Sequence, residues 1–423
     1  MLSLIRELYP ICRSITGDGV RQTLKILEKH IPLELTEVPT GTPVLDWTVP
    51  KEWNIRGGWI RSTSGETIID FAQCNLHVLN YSTPVSQRIT RTELDPHLYS
   101  IPDQPDWVPY RTSYYTERWG FCLSEKQRQR LTEAEYDIFI DSTLDDGHLT
   151  FAECVLPGKT TDEILLTAHI CHPSLCNDNL SGIAVATFLA KALQQSRLRH
   201  TVRLLFIPGT IGSITWLALN RQHIDHVRHG LSLVCLGDSS PFTYKRTLCG
   251  KTELDHVMSH VLKTSGEPHQ IIDYFPYGYD ERQFNSPGFA LAFGSLMRGQ
   301  HGQFPEYHTS ADNLDFVKSD KLEASLALCE RMVEVLDQNR RYKNLSPYGE
   351  PQLGNRGVYR SLGGIDIADT QLAIFWVLAL GTGEHSLLSI AERAKLPFKI
   401  IVEAAQILEK HDLLAAQDES SEL

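Results

Sequence analysis

A chain of 423 residues is longer than one ordinary hydrophobic core holds, so two or three domains are expected, and 42% hydrophobic with 22% charged residues is the balance of a soluble globular protein. The formal net charge of −12 argues against a nucleic-acid surface. Residues 1–10 lack an apolar signal core, no run approaches the roughly 20 apolar residues of a membrane span, and nine cysteines without paired metal-finger spacing fit reduced thiols, so the cytoplasm is expected and no membrane partner.

In chain order, residues 19–30 carry Val20, Leu24, Ile26 and Leu27 at helical spacing, and residues 31–38 read as the strand after them. Residues 41–144 change texture to short alternating strands rich in aromatics, among them Trp47, Trp53, Trp59, Tyr110, Tyr114, Tyr115 and Trp119, and read as an inserted β-rich module. From residue 149 strands and helices alternate again: strands at 163–168, 202–208 and 231–236, helices at 189–194, 214–219 and 322–336. Such βα repeats predict an α/β fold with a mostly parallel central sheet flanked by helices, built from residues 1–40 and 145–345. Residues 342–364, rich in Gly, Pro, Asn and Arg, read as a linker. Three helical patterns follow, at 368–380, 387–393 with Ser386 as N-cap, and 398–411, and residues 365–423 read as a small winged helix-turn-helix domain. From Arg360 onward five basic residues face ten acidic ones, so domain packing or homo-oligomer formation is expected of it before DNA binding.

The chemistry concentrates in Thr167-Ala-His-Ile-Cys-His-Pro-Ser-Leu-Cys-Asn-Asp-Asn-Leu-Ser-Gly182. His169 ends the strand at 163–168, and Asp178 and Asn179 precede the helix opening at Ser181 and Gly182, so imidazole and carboxylate ligand types meet where open α/β sheets bind ligands. Further polar residues gather at predicted strand ends at 207–214, at Gly237-Asp-Ser-Ser240, and at Gly278-Tyr-Asp-Glu-Arg-Gln283 together with Pro305-Glu-Tyr-His-Thr-Ser-Ala-Asp312. Each has a plainer reading beside the functional one. His172 before Pro173 forms a turn, Asp178 and Asn179 cap a helix, Asp280 to Arg282 is a solvated charge run, Asp238 is a loop carboxylate, Tyr307 and His308 make a packed turn, and Cys171 is a small buried residue.

Taken in order, these pieces resemble the superfamily of zinc aminopeptidases, glutamate carboxypeptidases and glutaminyl cyclases, through His169, Asp178-Asn-Leu-Ser-Gly182, Asp238, Asp280 and Tyr307-His-Thr309. More narrowly, the chain looks like the bacterial aminopeptidase-like proteins that carry an inserted β-rich module and a C-terminal winged helix, often met alongside surface-polysaccharide functions. The resemblance implies a metal site drawn from His169, His172, Asp178, Asp238 and His308, holding zinc, one ion in preference to two. It also implies a hydrolase acting on a peptide, amide or sugar-linked substrate, with Asp280, Glu281 or Glu306 for proton transfer or for the substrate amine. The chain departs from the pattern twice. His169-Ile-Cys171 followed by His172 replaces H-x-D, and Gly209-Thr210 replaces the Glu-Glu pair that serves as general base and metal ligand. Three readings stay open: a relocated base, a one-metal site, or a catalytically degenerate site that only binds. Aromatics of the run 110–119 are a further candidate wall over the metal site, able to grip a sugar or peptide terminus.

Overall fold

The computed structural model describes residues 1–358 and 367–417. It contains two compact units, Met1–Glu330 and Arg331–Leu423. The first unit is α/β, built on an eight-stranded sheet in the order Glu34–Pro39, His148–Leu156, Thr201–Ile207, Glu163–His169, Val227–Leu233, Phe293–Met297, Phe242–Lys245, His269–Ile272. The middle four strands are parallel to one another; the edges attach through antiparallel pairs at His148–Leu156 and Phe242–Lys245.

The apolar run at 163–168 is the strand Glu163–His169, buried at every residue but the first, as a strand with neighbours on both edges and layers on both faces must be. After it the chain crosses through the helix Gly182–Leu193 to Thr201–Ile207 on one side, then back through the helix Ile211–Leu219 to Val227–Leu233 on the other. Right-handed crossovers in opposite directions place the two helices on opposite faces. A crevice therefore opens at the carboxyl ends of Glu163–His169 and Thr201–Ile207, the place where such sheets bind ligands. Both helices are apolar nearly all round and almost wholly buried, which pins the loops leading into them. Gly182 opens the first helix because a Cβ there would lie 2.3 Å from the Leu233 carbonyl oxygen.

The stretch between Thr40 and Gly147 leaves and rejoins the central sheet at one point. There Thr40 N–H donates to the Gly147 carbonyl at 2.8 Å, and Thr40 Oγ1 accepts from Gly147 N–H at 3.0 Å. The excursion folds a four-stranded antiparallel sheet, in the order Thr67–Asp70, Glu52–Ser62, Glu135–Asp145, Val85–Thr90, over its own apolar cluster that includes Ile60, Leu94, Phe121 and Tyr136. It lies within the same compact unit as the central sheet, with which Trp53 and Tyr81 share a core beside Leu165, Leu205 and Phe293.

Near the amino terminus the helix is Asp18–Leu27, preceded by an unexpected helix Leu2–Leu8 that is too short to show a periodic pattern but buries Leu4, Ile5 and Leu8. In the second unit the helices are Ile367–Leu380, Leu387–Ala394 and Phe398–Lys410, and Ser386 Oγ accepts from Ser389 N–H as an N-cap. A three-stranded sheet, Thr382–Ser386, Arg341–Asn344, Leu414–Ala416, completes it. The linker reading of residues 342–364 therefore fails at its start. Arg341–Asn344 is the middle strand, and only Tyr342 turns into the core, so a short charged segment carried no alternation to read. Leu353 and Val358 join the same core. Residues 359–366 and 418–423, the end of that linker and the margins of the expected C-terminal domain, lie outside the described residues.

Candidate metal centre

His169 is the last residue of the strand Glu163–His169, so its imidazole points into the crevice from a rigid element. The turn Cys176–Ser181 follows, and in it Asp178 (φ −109°, ψ 83°) and Asn179 (φ −139°, ψ 32°) leave helical geometry. Asp312 holds this turn from beneath: its Oδ1 accepts from Asn177 N–H at 2.6 Å and its Oδ2 from Asp178 N–H at 2.9 Å. The Asn179 amide ties the turn to the next strand, donating to the Leu233 carbonyl at 3.0 Å and accepting from Cys235 N–H at 3.2 Å.

These supports aim Asp178 at three histidines. Its Oδ1 lies 2.8 Å from His169 Nε2, and its Oδ2 lies 3.0 Å from His308 Nε2 and 3.9 Å from His172 Nε2. The ligand atoms of His169, His172 and Asp178 all fall within 4.8 Å of one another, and all three residues are buried. Burial pushes the Asp178 carboxyl up, but His172, His169 and His308 together outweigh it and hold the group well below the usual carboxylate range. At His172 burial dominates and drives the imidazole well below its usual value, leaving a neutral ring with a lone pair to offer.

Three buried atoms in this cluster have no aligned hydrogen bond: His169 Nδ1, and Asp178 Oδ2 and His308 Nε2, which face each other. Leaving buried polar atoms unsatisfied costs about 1–3 kcal/mol each, so the arrangement is one that a shared cation completes. Imidazole nitrogens with a carboxylate are the donor set of a four-coordinate zinc site, and the residues present fit such an ion.

The other expected site residues are placed differently. Asp238, expected among the ligands, is committed elsewhere: its Oδ2 accepts from Asn177 Nδ2 at 2.7 Å and Gly299 N–H at 2.9 Å, and its Oδ1 from Ser240 N–H at 2.6 Å. It stands behind the turn and outside the ligand group. Glu281, expected as a base, is fully buried in an ion pair with Lys245 and accepts from Tyr279 N–H, so its oxygens are taken. Asp280 Oδ1 accepts from Ser213 Oγ at 2.9 Å, and burial pushes its carboxyl up to about 6 against the pull of His169 and Ser213. Glu306 is half-buried two residues from His308 and its backbone carbonyl accepts from Thr309 N–H and Oγ1. Cys171 is wholly buried, and burial raises its thiol to about 12, the state of a packed thiol.

The wall over the cluster comes from the excursion. Tyr110 packs 5.0 Å from His172 and 5.1 Å from His308, ring centre to ring centre, and its N–H donates to the His308 carbonyl at 2.7 Å. The Tyr110 and Tyr114 hydroxyls meet at 2.9 Å. Two residues to which sequence assigns no role stand against the cluster. Buried Arg13 donates from Nε to the His172 carbonyl at 2.8 Å and so fixes the His172 backbone. The Tyr279 ring lies tilted against His169, 4.1 Å centre to centre, and puts its hydroxyl 3.3 Å from Cys171 Sγ. Its partners are distant in sequence, and only the fold brings them together.

Comparison with known proteins agrees with this architecture. The chain is 49% identical over 413 residues, 97% of its length and 95% of the relative's, to a Clostridium acetobutylicum protein provisionally named a polysaccharide biosynthesis protein with an aminopeptidase-like domain. A crystal structure of a provisional peptidase from Clostridium acetobutylicum superposes with a TM-score of 0.92 at 47% identity, covering 98% of this chain and 96% of that one. BSAP, a zinc aminopeptidase from Bacillus subtilis, shares the fold at a TM-score of 0.58 and 13% identity, over 79% of this chain and 94% of that one. A winged helix-turn-helix family matches residues 340–416, and the family described as a domain of unknown function, DUF4910, matches residues 2–339. With an aminopeptidase-like α/β unit and a C-terminal winged helix, the chain belongs to the DUF4910 family.

Proposed function

We propose that this protein is a metal-dependent hydrolase that cleaves a peptide or amide bond of a small substrate, with one zinc ion held by His169, His172, Asp178 and His308. The observation that carries the reading is the unsatisfied Asp178 Oδ2 facing His308 Nε2 inside a buried group of ligand atoms. One ion is preferred to two because the carboxylates a second would need are occupied: Asp238 by Asn177 and Gly299, Glu281 by Lys245. A bound zinc ion supplies Lewis-acid polarisation of a substrate carbonyl. The chain's own residues do the rest. Tyr110 and Tyr114 wall the cluster from water on one side, Asp312 and Arg13 hold the ligand backbone in register, and Asp280, at about 6, can gain and lose a proton near neutral pH at a position fixed by Ser213.

Gly209-Thr210 favours a second reading, a binding protein built on a peptidase fold, because a positioned general base contributes about 10²–10⁴-fold and no carboxylate stands at those positions. The name of the Clostridium acetobutylicum relative supports a sugar-linked ligand in either case. All nine cysteines are free thiols, which supports a reducing compartment such as the cytoplasm; among the described residues no helix is long and apolar enough to cross a membrane. The acidic excess of the winged helix supports a role in assembly of homo-oligomers before one on nucleic acid.

Elemental analysis of the purified protein tests the reading. About one zinc per chain is expected, lost in both Asp178→Ala and His308→Ala. No metal after incubation with zinc removes the hydrolase, whereas tightly held metal with no turnover across a panel of aminoacyl and amide substrates selects the binding protein.

A further inference from the structure

Position 209 and Tyr279 exclude each other. A Cβ built on Gly209 would lie 2.0 Å from Tyr279 Cε1 and 2.7 Å from its Cδ1, whereas carbon atoms in contact stand about 3.5–4.0 Å apart. The ring therefore fills the room in which any side chain at 209 would begin. It also does more than fill space. The Tyr279 hydroxyl lies 3.5 Å from His172 Nε2, 3.3 Å from Cys171 Sγ and 3.5 Å from the Gly209 carbonyl. The Gly209 contact is long against the roughly 2.7–2.8 Å of a well-made O–H···O bond, so the hydroxyl has donor capacity left over. Tyr279 is half-buried as a residue while Cys171 and His172 are buried, which puts its ring at the margin of the cluster.

A phenol with an ordinary pKa of about 10 is protonated at neutral pH and serves as a hydrogen-bond donor, the opposite role to a carboxylate base. We propose that Tyr279 is a catalytic residue of this site, its hydroxyl donating a hydrogen bond to the substrate oxygen held at the histidine–aspartate group, in the room that Gly209 leaves open. The proposal rests on the metal-dependent reading above and names the residue that meets the substrate oxygen. Donors aimed at a developing oxyanion are among the largest contributors to acyl-transfer catalysis, about 10²–10³-fold each. The exchange of side-chain volume between positions 209 and 279 gives this site such a donor in place of a base.

Cobalt(II)-loaded protein titrated with acetohydroxamate, an oxygen ligand for the metal, tests this through the visible absorption of cobalt. Tyr279→Phe is expected to keep the cobalt bands of the wild type but to bind acetohydroxamate about tenfold more weakly, the loss of one hydrogen bond. Equal affinity overturns the proposal, and loss of the cobalt bands in Tyr279→Phe alone overturns it in favour of a hydroxyl that only supports the metal ligands. Absence of the bands from wild type brings down the metal reading and this proposal together. A second arm measures thermal midpoints. Gly209→Ala is expected to lower the midpoint of wild type by more than that of Tyr279→Ala, since neighbours that share space couple; equal lowering overturns the steric exclusion.

Discussion

Two turns at the carboxyl edge of the central sheet carry acidic residues that look alike in sequence: Asn177-Asp-Asn179 and Tyr279-Asp-Glu281. Their carboxylates have opposite fates. Asp178 is buried with one oxygen left over, facing an imidazole with which it makes no aligned hydrogen bond. Glu281 is equally buried, and both its oxygens are taken by Lys245 and Tyr279 N–H, with the Lys245 ammonium also donating to the Tyr277 carbonyl at 2.9 Å. Burial and charge do not separate a site from a structural ion pair. What separates them is whether the bonding capacity of the buried groups is exhausted within the protein.

The largest effect that sharpens this contrast is on stability. Glu281→Ala strands the Lys245 ammonium in the interior, and unpairing a buried charge costs about 3–5 kcal/mol, read as a lower urea midpoint. Asp178→Ala, measured without metal, is expected to cost less, because His172 is neutral already; an equal or larger loss would break the distinction. Next in size, Asp312→Ala removes both acceptors that orient the Asp178 turn, and loss of such a supporting partner lowers metal affinity by about 10–100-fold in competition with a chelator. The smallest effect concerns a partly exposed pair. Arg21 and Glu52 link the helix Asp18–Leu27 to the excursion. Burial raises the Glu52 carboxyl, but Arg21, His148 N–H and Asn54 outweigh it and bring the group down to about 2. A depressed carboxylate stabilises the fold fully above its unfolded value, near 4.3, and that stabilisation is lost as the pH falls through that value toward 2. The stability gap between wild type and Glu52→Gln should be flat above about pH 5 and close below it; a gap unchanged at pH 3 would remove Arg21 and Glu52 as a joint.

Much of the fold was legible because it rests on local signals. The strand Glu163–His169, the helix Gly182–Leu193 and the cap at Ser386 were written in apolar runs, period and capping chemistry. The strand end and the turn likewise gave His169 and Asp178 away. The rest depended on contacts that sequence spacing does not encode. Asp238 looks like a ligand in sequence, but Asn177 and Gly299 occupy it; Glu281 looks like a base, but Lys245 at the end of the strand Phe242–Lys245 pairs with it; and the absence of a side chain at 209 has its cause in Tyr279, which fills that place. Arg341–Asn344 was hidden for a different reason: a middle strand in a three-stranded sheet needs one buried side chain, and one is no pattern.

The backbone bond from Tyr110 to His308, with Val108 N–H donating to Ser310 Oγ at 3.0 Å and Ser310 N–H returning a bond to the Val108 carbonyl at 2.8 Å, stitches residues 108–110 to 308–310 as a short two-stranded splice. The two segments are therefore one heritable part, though almost two hundred residues separate them. Drift in one has to be matched in the other. A chimera that exchanges the excursion between relatives must carry both halves of the splice, or the histidine that closes the cluster is left without its frame.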